Sequence, residues 1–227
     1  DVCSSDLMLH QSVMISNLAG QIAEFAPNSK VLMVTNPVDV MAYLLQKQGK
    51  LEPKNVIGVA SSLDSSRFRY VLARQFQTNQ SEIHDAVVIG EHDDSMVPIF
   101  SHAKFGKTLV DELLDDKQKS QITLDVRNYW KSLRNYKGTS VFGIAKNTFD
   151  VINSIIKNQT LDIAASTLLE GQYGLDNLCM GVPVTINKNG IAKIHQISIS
   201  DKEKQQLHQS ANVIKNNISK VNEFLKS

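Results

Sequence analysis

Three side chains, His92, Asp64 and Arg67, have the types and setting needed to move a proton on a small acid. His92 follows the apolar run Ala86-Val87-Val88-Ile89 and Gly90, inside Glu91-His92-Asp93-Asp94-Ser95. A short buried-type strand that stops at glycine and then presents a histidine fixes an imidazole at a sheet edge. Imidazole is the side chain that, unperturbed, both gives and takes a proton near neutrality. Asp64 and Arg67 lie three positions apart in Leu63-Asp64-Ser65-Ser66-Arg67-Phe68, so they sit on neighbouring parts of one helical face. A carboxylate on one ring nitrogen would fix the tautomer and raise the histidine pKa. An arginine beside it offers a planar fork for a substrate carboxylate. Asp64 read alone is better explained as a first-turn cap. Together the three suit oxidation of a hydroxy acid or reduction of a keto acid. That reaction moves a proton and a hydride, and no side chain carries a hydride. A nicotinamide cofactor is required.

The elements that must position these groups alternate. Apolar residues Ile15, Leu18, Ile22 and Phe25 predict an amphipathic helix over residues 8–26, ended by Pro27 and Asn28. Residues 31–35 (VLMVT) read as a short strand buried on both faces, stopping at Asn36-Pro37. A helix from Pro37 and a strand at 55–59 (NVIGV) follow. This order predicts half of a doubly wound α/β sheet, in which ligands sit at the carboxyl ends of the strands. Asn36 stands at such an end, either as a ligand contact or as a turn former before proline.

Beyond residue 100, helices are predicted at 107–115, along the stripe Ile122, Val126, Trp130 and Leu133, and at 146–157 (Phe149, Ile152, Ile156 on one side), with a turn at 136–140. Three strand-like runs follow at 160–169, 178–186 and 191–199, the last two joined by the hairpin signal Asn189-Gly190. Ser200 and Glu203 form a capping-box pattern before a terminal helix with Leu207, Ala211, Ile214, Ile218, Val221 and Leu225 on one face. The fold class expected is α/β. Residues 1–60 form the C-terminal part of a Rossmann-type parallel sheet, and residues 61–227 a mixed α+β substrate domain.

Composition narrows the partners. The 227 residues are 42 % apolar and 21 % charged, with a formal net charge of +1. The cations are spread along the chain, which argues against nucleic acid or a membrane surface as partner. Cys3 and Cys179 have no CxxC spacing, so a disulfide framework or zinc site is not expected and a reducing cytoplasm is the default. Glu91-His92-Asp93-Asp94 lacks a second histidine at ligand spacing, so no metal is expected. His84, His102 and His195 read as surface or packing residues, and Arg69 and Arg74 as the solvated side of their helix.

The chain resembles the lactate/malate dehydrogenase family from roughly residue 18 onward. The resemblance rests on Thr35-Asn36-Pro37-Val38-Asp39, Leu63-Asp64-Ser65-Ser66-Arg67-Phe68-Arg69 and Gly90-Glu91-His92-Asp93-Asp94-Ser95, supported by Tyr173-Gly174 and Gly181-Val182-Pro183-Val184. It implies that His92 is the proton donor and acceptor and that Asp64 orients it. It implies Arg67 as the bidentate anchor of the substrate carboxylate, and Asn36 as a strand-end contact to substrate and nicotinamide, with Thr35 beside it on the cofactor side. Ser140, in KGTS, matches a small hydroxyl residue lining the substrate pocket. The implied cofactor is NAD, with NADP as the alternative. The implied substrate is a small 2-hydroxy or 2-keto acid, malate before lactate, and the implied assembly a homodimer or homotetramer. A non-catalytic relative kept as an association scaffold is the other reading.

Two departures matter. The family's glycine-rich loop, ribose-binding acid and mobile loop with its second arginine are expected upstream of Asp1, and the chain as written is therefore expected to be inactive. Residues 1–7 (DVCSSDL) read as translated adapter sequence joined to a truncated frame. Asp93 replaces a family glycine, and its charge is expected to favour the imidazolium.

Overall fold

The computed structural model describes residues 4–134 and 141–226. Helix α1 (Ser4–Phe25) leads into strand β1 (Val31–Met33), helix α2 (Val38–Gly49) and strand β2 (Val56–Gly58), and β1 pairs with β2 in parallel. Helix α3 (Ser61–Gln75) follows, then short strands β3 (Ile83–His84), β4 (Val88–Ile89), β5 (Val97–Pro98), β6 (Lys104–Phe105) and β7 (Thr108–Leu109). Helices α4 (Val110–Leu113), α5 (Asp116–Arg134) and α6 (Phe142–Ile156) precede three longer strands and a helix. These are β8 (Leu161–Glu170), β9 (Asp176–Asn187), β10 (Gly190–Ile194) and α7 (Asp201–Phe224).

The main sheet has the order β1-β2-β8-β9-β10, parallel at its first pair and antiparallel beyond it. It therefore continues across residue 61, and one apolar cluster draws on α1, α2, β8, β9 and α7 alike. A second cluster, built on Phe68, Leu72, Ile83, Phe100, Ile122 and Val126, packs α3 against α5 and the β4–β5 region. The catalytic candidates lie where these two bodies of side chains meet.

Several expectations are corrected. In α1 the buried stripe is Met8, Ser12, Ile15 and Ala19, whereas Leu18 and Phe25 are exposed. The helix carries apolar residues on more than one face, so spacing alone does not select the face that packs. Strand β1 is partly open rather than buried on both faces, because it is the edge of its sheet among the described residues. Residues 107–115 are not one helix: they hold β7 and the four-residue α4. In α6, Phe149, Ile152 and Ile156 share a side, but that side is exposed, while Val151 and Ser154 are buried. The hairpin at Asn189-Gly190 forms, with Gly190 at φ +91°. The Ser200–Glu203 capping box also forms, and Leu207, Ala211, Ile214, Ile218 and Val221 are buried.

Candidate active site

Asp64 sits in the first turns of α3, on the face that continues through Phe68 and Leu72. It is 1 % exposed, so its charge needs partners. It has two. Nη1 of Arg67 donates to Oδ1 at 2.9 Å, one helical turn away. Oδ2 meets Nδ1 of His92 in a short hydrogen bond that spans 28 positions of sequence. Arg67 is 8 % exposed and the His92 side chain 16 %, so all three groups are largely withdrawn from water, with the imidazole the most open.

Nδ1 is committed to Asp64, which leaves Nε2 as the ring nitrogen able to face a ligand. Burial pulls the His92 pKa down, but the charge and hydrogen bond of Asp64 outweigh it, Asp39 adds to them and Arg67 opposes. The net shift is upward from the ordinary 6.5. The imidazolium is thus favoured more than in a free histidine.

The loop carrying His92 is fixed by glycines and hydroxyls. Gly90 has φ +96°, and its backbone pairs with Gly181 of β9 through N–H···O bonds of 2.9 and 3.1 Å. A Cβ at Gly181 would lie 2.0 Å from Ser61 Oγ and 3.0 Å from the Gly90 carbonyl oxygen, so only glycine allows that approach. Ser65 Oγ accepts from Val88 N–H at 3.0 Å, tying α3 to β4. Ser210 of α7 accepts from Glu91 N–H at 2.8 Å. Glu91 is held by the Ser95 hydroxyl, and burial moves its pKa upward.

The remaining expected residues are placed as follows. Asn36 is exposed just past the carboxyl end of β1, and Thr35 is half-buried beside it. Ser140 lies outside the described residues. Asp93 has an exposed side chain and does not occupy the left-handed backbone region, so its turn has no need of glycine's freedom. The groups acting most strongly on His92 are Asp64, Asp39 and Arg67. The second carboxylate at the histidine is therefore Asp39 rather than Asp93. Asp39 belongs to the 35–39 motif, but its partners are far away in sequence. Arg69 is half-buried with its Nε unpartnered, rather than solvated, whereas Arg74 is exposed near the Tyr70 ring.

Among the described residues no group of three or more His, Cys, Asp and Glu side chains could hold a metal ion, and no helix is long and apolar enough to cross a membrane. Thr35 and Asn36 stand at the carboxyl end of a parallel strand, where such sheets bind ligands. A Gly-x-Gly-x-x-Gly run to cradle a pyrophosphate does not occur in the 227 residues.

Comparison with known proteins places this geometry. Residues 4–58 match the lactate/malate dehydrogenase NAD binding domain, and residues 61–225 the alpha/beta C-terminal domain of the same family. The L-lactate dehydrogenase of Bacillus velezensis is 32 % identical over 216 residues, covering 92 % of this chain and 68 % of that protein. The malate dehydrogenase of Chlorobium phaeobacteroides is 31 % identical over 222 residues, covering 97 % and 71 %. The crystal structure of the Cryptosporidium parvum lactate dehydrogenase with lactic acid and NAD superposes with a TM-score of 0.88 at 29 % identity, covering 96 % of this chain and 71 % of that one. The chain spans 59 to 72 % of the length of the curated relatives compared. Among them the malate dehydrogenases cover 97 to 99 % of this chain, and the lactate dehydrogenases 81 to 92 %.

Proposed function

Because the chain belongs to the lactate/malate dehydrogenase family, whose cofactor is NAD, we propose that its site interconverts a 2-hydroxy acid and the corresponding 2-keto acid, with malate and oxaloacetate as the pair. One observation carries the reading: the buried Asp64 joins a histidine and an arginine, so a proton donor and a carboxylate anchor are fixed side by side. His92 gives its Nε2 proton to the substrate oxygen when the keto acid is reduced, and takes it back in oxidation. Asp64 keeps the ring in the tautomer that makes this possible and stabilises the charged form. Arg67, with one N–H committed to Asp64, presents its remaining donors to the substrate carboxylate. Thr35 and Asn36 hold the nicotinamide end. NAD supplies the hydride exchange; each proton and carboxylate contact assigned here belongs to this chain.

The preference for malate is supported by the fuller coverage of this chain by malate dehydrogenases, which are 31 to 32 % identical to it against 32 to 34 % for the lactate enzymes. The scaffold alternative rested on Asp93, whose side chain is exposed and is not among the strongest influences on His92. With no glycine-rich cradle in the 227 residues, slow or absent turnover is proposed for this chain on its own. Division into a nucleotide part (1–60) and a substrate part (61–227) is proposed on the same footing, as is assembly into a homo-oligomer.

The test follows binding rather than turnover. Isotope-edited NMR of the chain is recorded during titration with oxaloacetate, L-malate, pyruvate, L-lactate and acetate. The four 2-oxo and 2-hydroxy acids are expected to move the His92 ring and Arg67 guanidinium signals, the C4 acids at the lowest concentrations. Acetate is expected to have little effect, and Arg67→Met to abolish the response. Equal responses to acetate and oxaloacetate, or responses surviving Arg67→Met, would overturn the assignment. Tighter binding of pyruvate than of oxaloacetate would transfer the substrate assignment to lactate.

A further inference from the structure

Behind the histidine lies a carboxylate whose presence hydrogen bonding alone does not explain. Asp39 stands in the first turn of α2, three positions after Asn36, and is 2 % exposed. Its oxygens serve two different elements. Oδ2 accepts from the backbone N–H of His92 at 2.9 Å. Oδ1 accepts from the hydroxyl of Ser166 at 2.6 Å, on the fully buried face of β8. One carboxylate thus ties α2, the histidine loop and the central sheet together.

A buried acid is a costly way to hold one backbone N–H, since a neutral amide of the same shape would do it with less desolvation. Burial pushes the Asp39 pKa up to about 6, while the Ser166 and His92 hydrogen bonds pull the other way. Asp39 is therefore ionised at neutrality and close to its own titration. Ser166 makes both states tenable. Its hydroxyl donates to the carboxylate, and after protonation it can accept from the acid while Oδ2 keeps the His92 N–H. The backbone clamp survives, and the charge beside the ring changes.

We propose that Asp39 is a positioning residue for His92: it clamps the histidine loop to the turn bearing Asn36, and its Ser166-held charge favours the imidazolium. Around the ring, Asp64 and Arg67 act from α3 and Asp39 from α2, while Glu91, Asp93 and Asp94 lie on its own loop. Glu91 is bonded to Ser95, and Asp93 and Asp94 are exposed. The proposal rests on His92 being the proton-transfer group, and its test needs neither turnover nor cofactor. Its failure is therefore distinguishable from failure of the dehydrogenase reading, which is tested by ligand binding.

The experiment titrates ring-labelled histidine in the whole chain by NMR, with the His92 signal identified by its loss in His92→Asn. Asp39→Asn preserves both hydrogen bonds, through its carbonyl to His92 N–H and its amide to Ser166 Oγ, and removes only the charge. The His92 midpoint is expected to fall by about half a pH unit or more, with the His92 backbone amide signal still dispersed. Ser166→Ala removes the donor, makes Asp39 harder to ionise and lowers the midpoint by less. In the Asp39→Asn background it has no further effect, since it acts through Asp39. A midpoint in Asp39→Asn within about 0.2 units of the unaltered chain, or a Ser166→Ala effect that persists in that background, would overturn the proposal. Should Asp39→Asn fail to fold, Ser166→Ala alone decides: an unchanged midpoint counts against the proposal.

Discussion

Arg67 donates to Asp64 across one helical turn at 2.9 Å, and both side chains are buried. The arginine is therefore held in place before any ligand arrives, which lowers the ordering cost of gripping a carboxylate. Its charge also opposes protonation of His92. Arg67→Met is thus expected to act in two directions: the response to 2-keto acids is lost, and the His92 midpoint rises. NMR titration of the variant reads both. A fall in the midpoint would show that Arg67 does not act on the ring as described.

Gly181 controls how closely β9 approaches the histidine strand. Adding a methyl group there places it 2.0 Å from Ser61 Oγ, with the Gly90 carbonyl oxygen also in contact. Gly181→Ala is expected to destabilise the chain by about 2–4 kcal/mol in urea unfolding and to broaden the His92 signals. A loss under about half a kcal/mol would mean that the sheet edge relaxes freely.

Much of the site was legible beforehand because its chemistry is carried by short local motifs. Asp64 and Arg67 are related by helical spacing, and His92 is announced by an apolar run ending in glycine. Asp39 was not assigned a role, because its partners, His92 and Ser166, are 53 and 127 positions away and nothing local pairs them. Ser210, which holds the Glu91 N–H from α7, was hidden in the same way. The face of α1 and the break between β7 and α4 were misread where several apolar faces, or none, competed. Tertiary packing decides such cases, and spacing does not.

Asp39 also shapes stability against pH. Its folded pKa lies above the usual 3.8, so the folded state holds that proton more tightly, and stability falls as pH rises from about 4 to about 6. For a shift from 3.8 to about 6 the loss amounts to roughly 3 kcal/mol. His92 has the same sign. Its contribution is complete below 6.5 and is lost as pH rises through its raised folded value. Asp39→Asn is expected to gain stability over the unaltered chain progressively across the interval from about 4 to about 6, by up to about 3 kcal/mol. Urea unfolding at a series of pH values reads it; a constant offset across that range would contradict the burial argument.

Asp93→Gly is expected to leave the His92 midpoint close to that of the unaltered chain, and to move it less than Asp39→Asn does. The Asp93 side chain is exposed and is screened by solvent. A drop larger than that of Asp39→Asn would restore Asp93 as the dominant second charge.

The account depends above all on Asp64 charging His92. The decisive measurement is the NMR titration of His92 in the unaltered chain and in Asp64→Asn. A midpoint above 6.5 in the chain, falling below 6.5 in the variant as burial and Arg67 outweigh the remaining Asp39 charge, is the result predicted. A midpoint at or below 6.5 in both would contradict the claim that this pair is built for proton transfer.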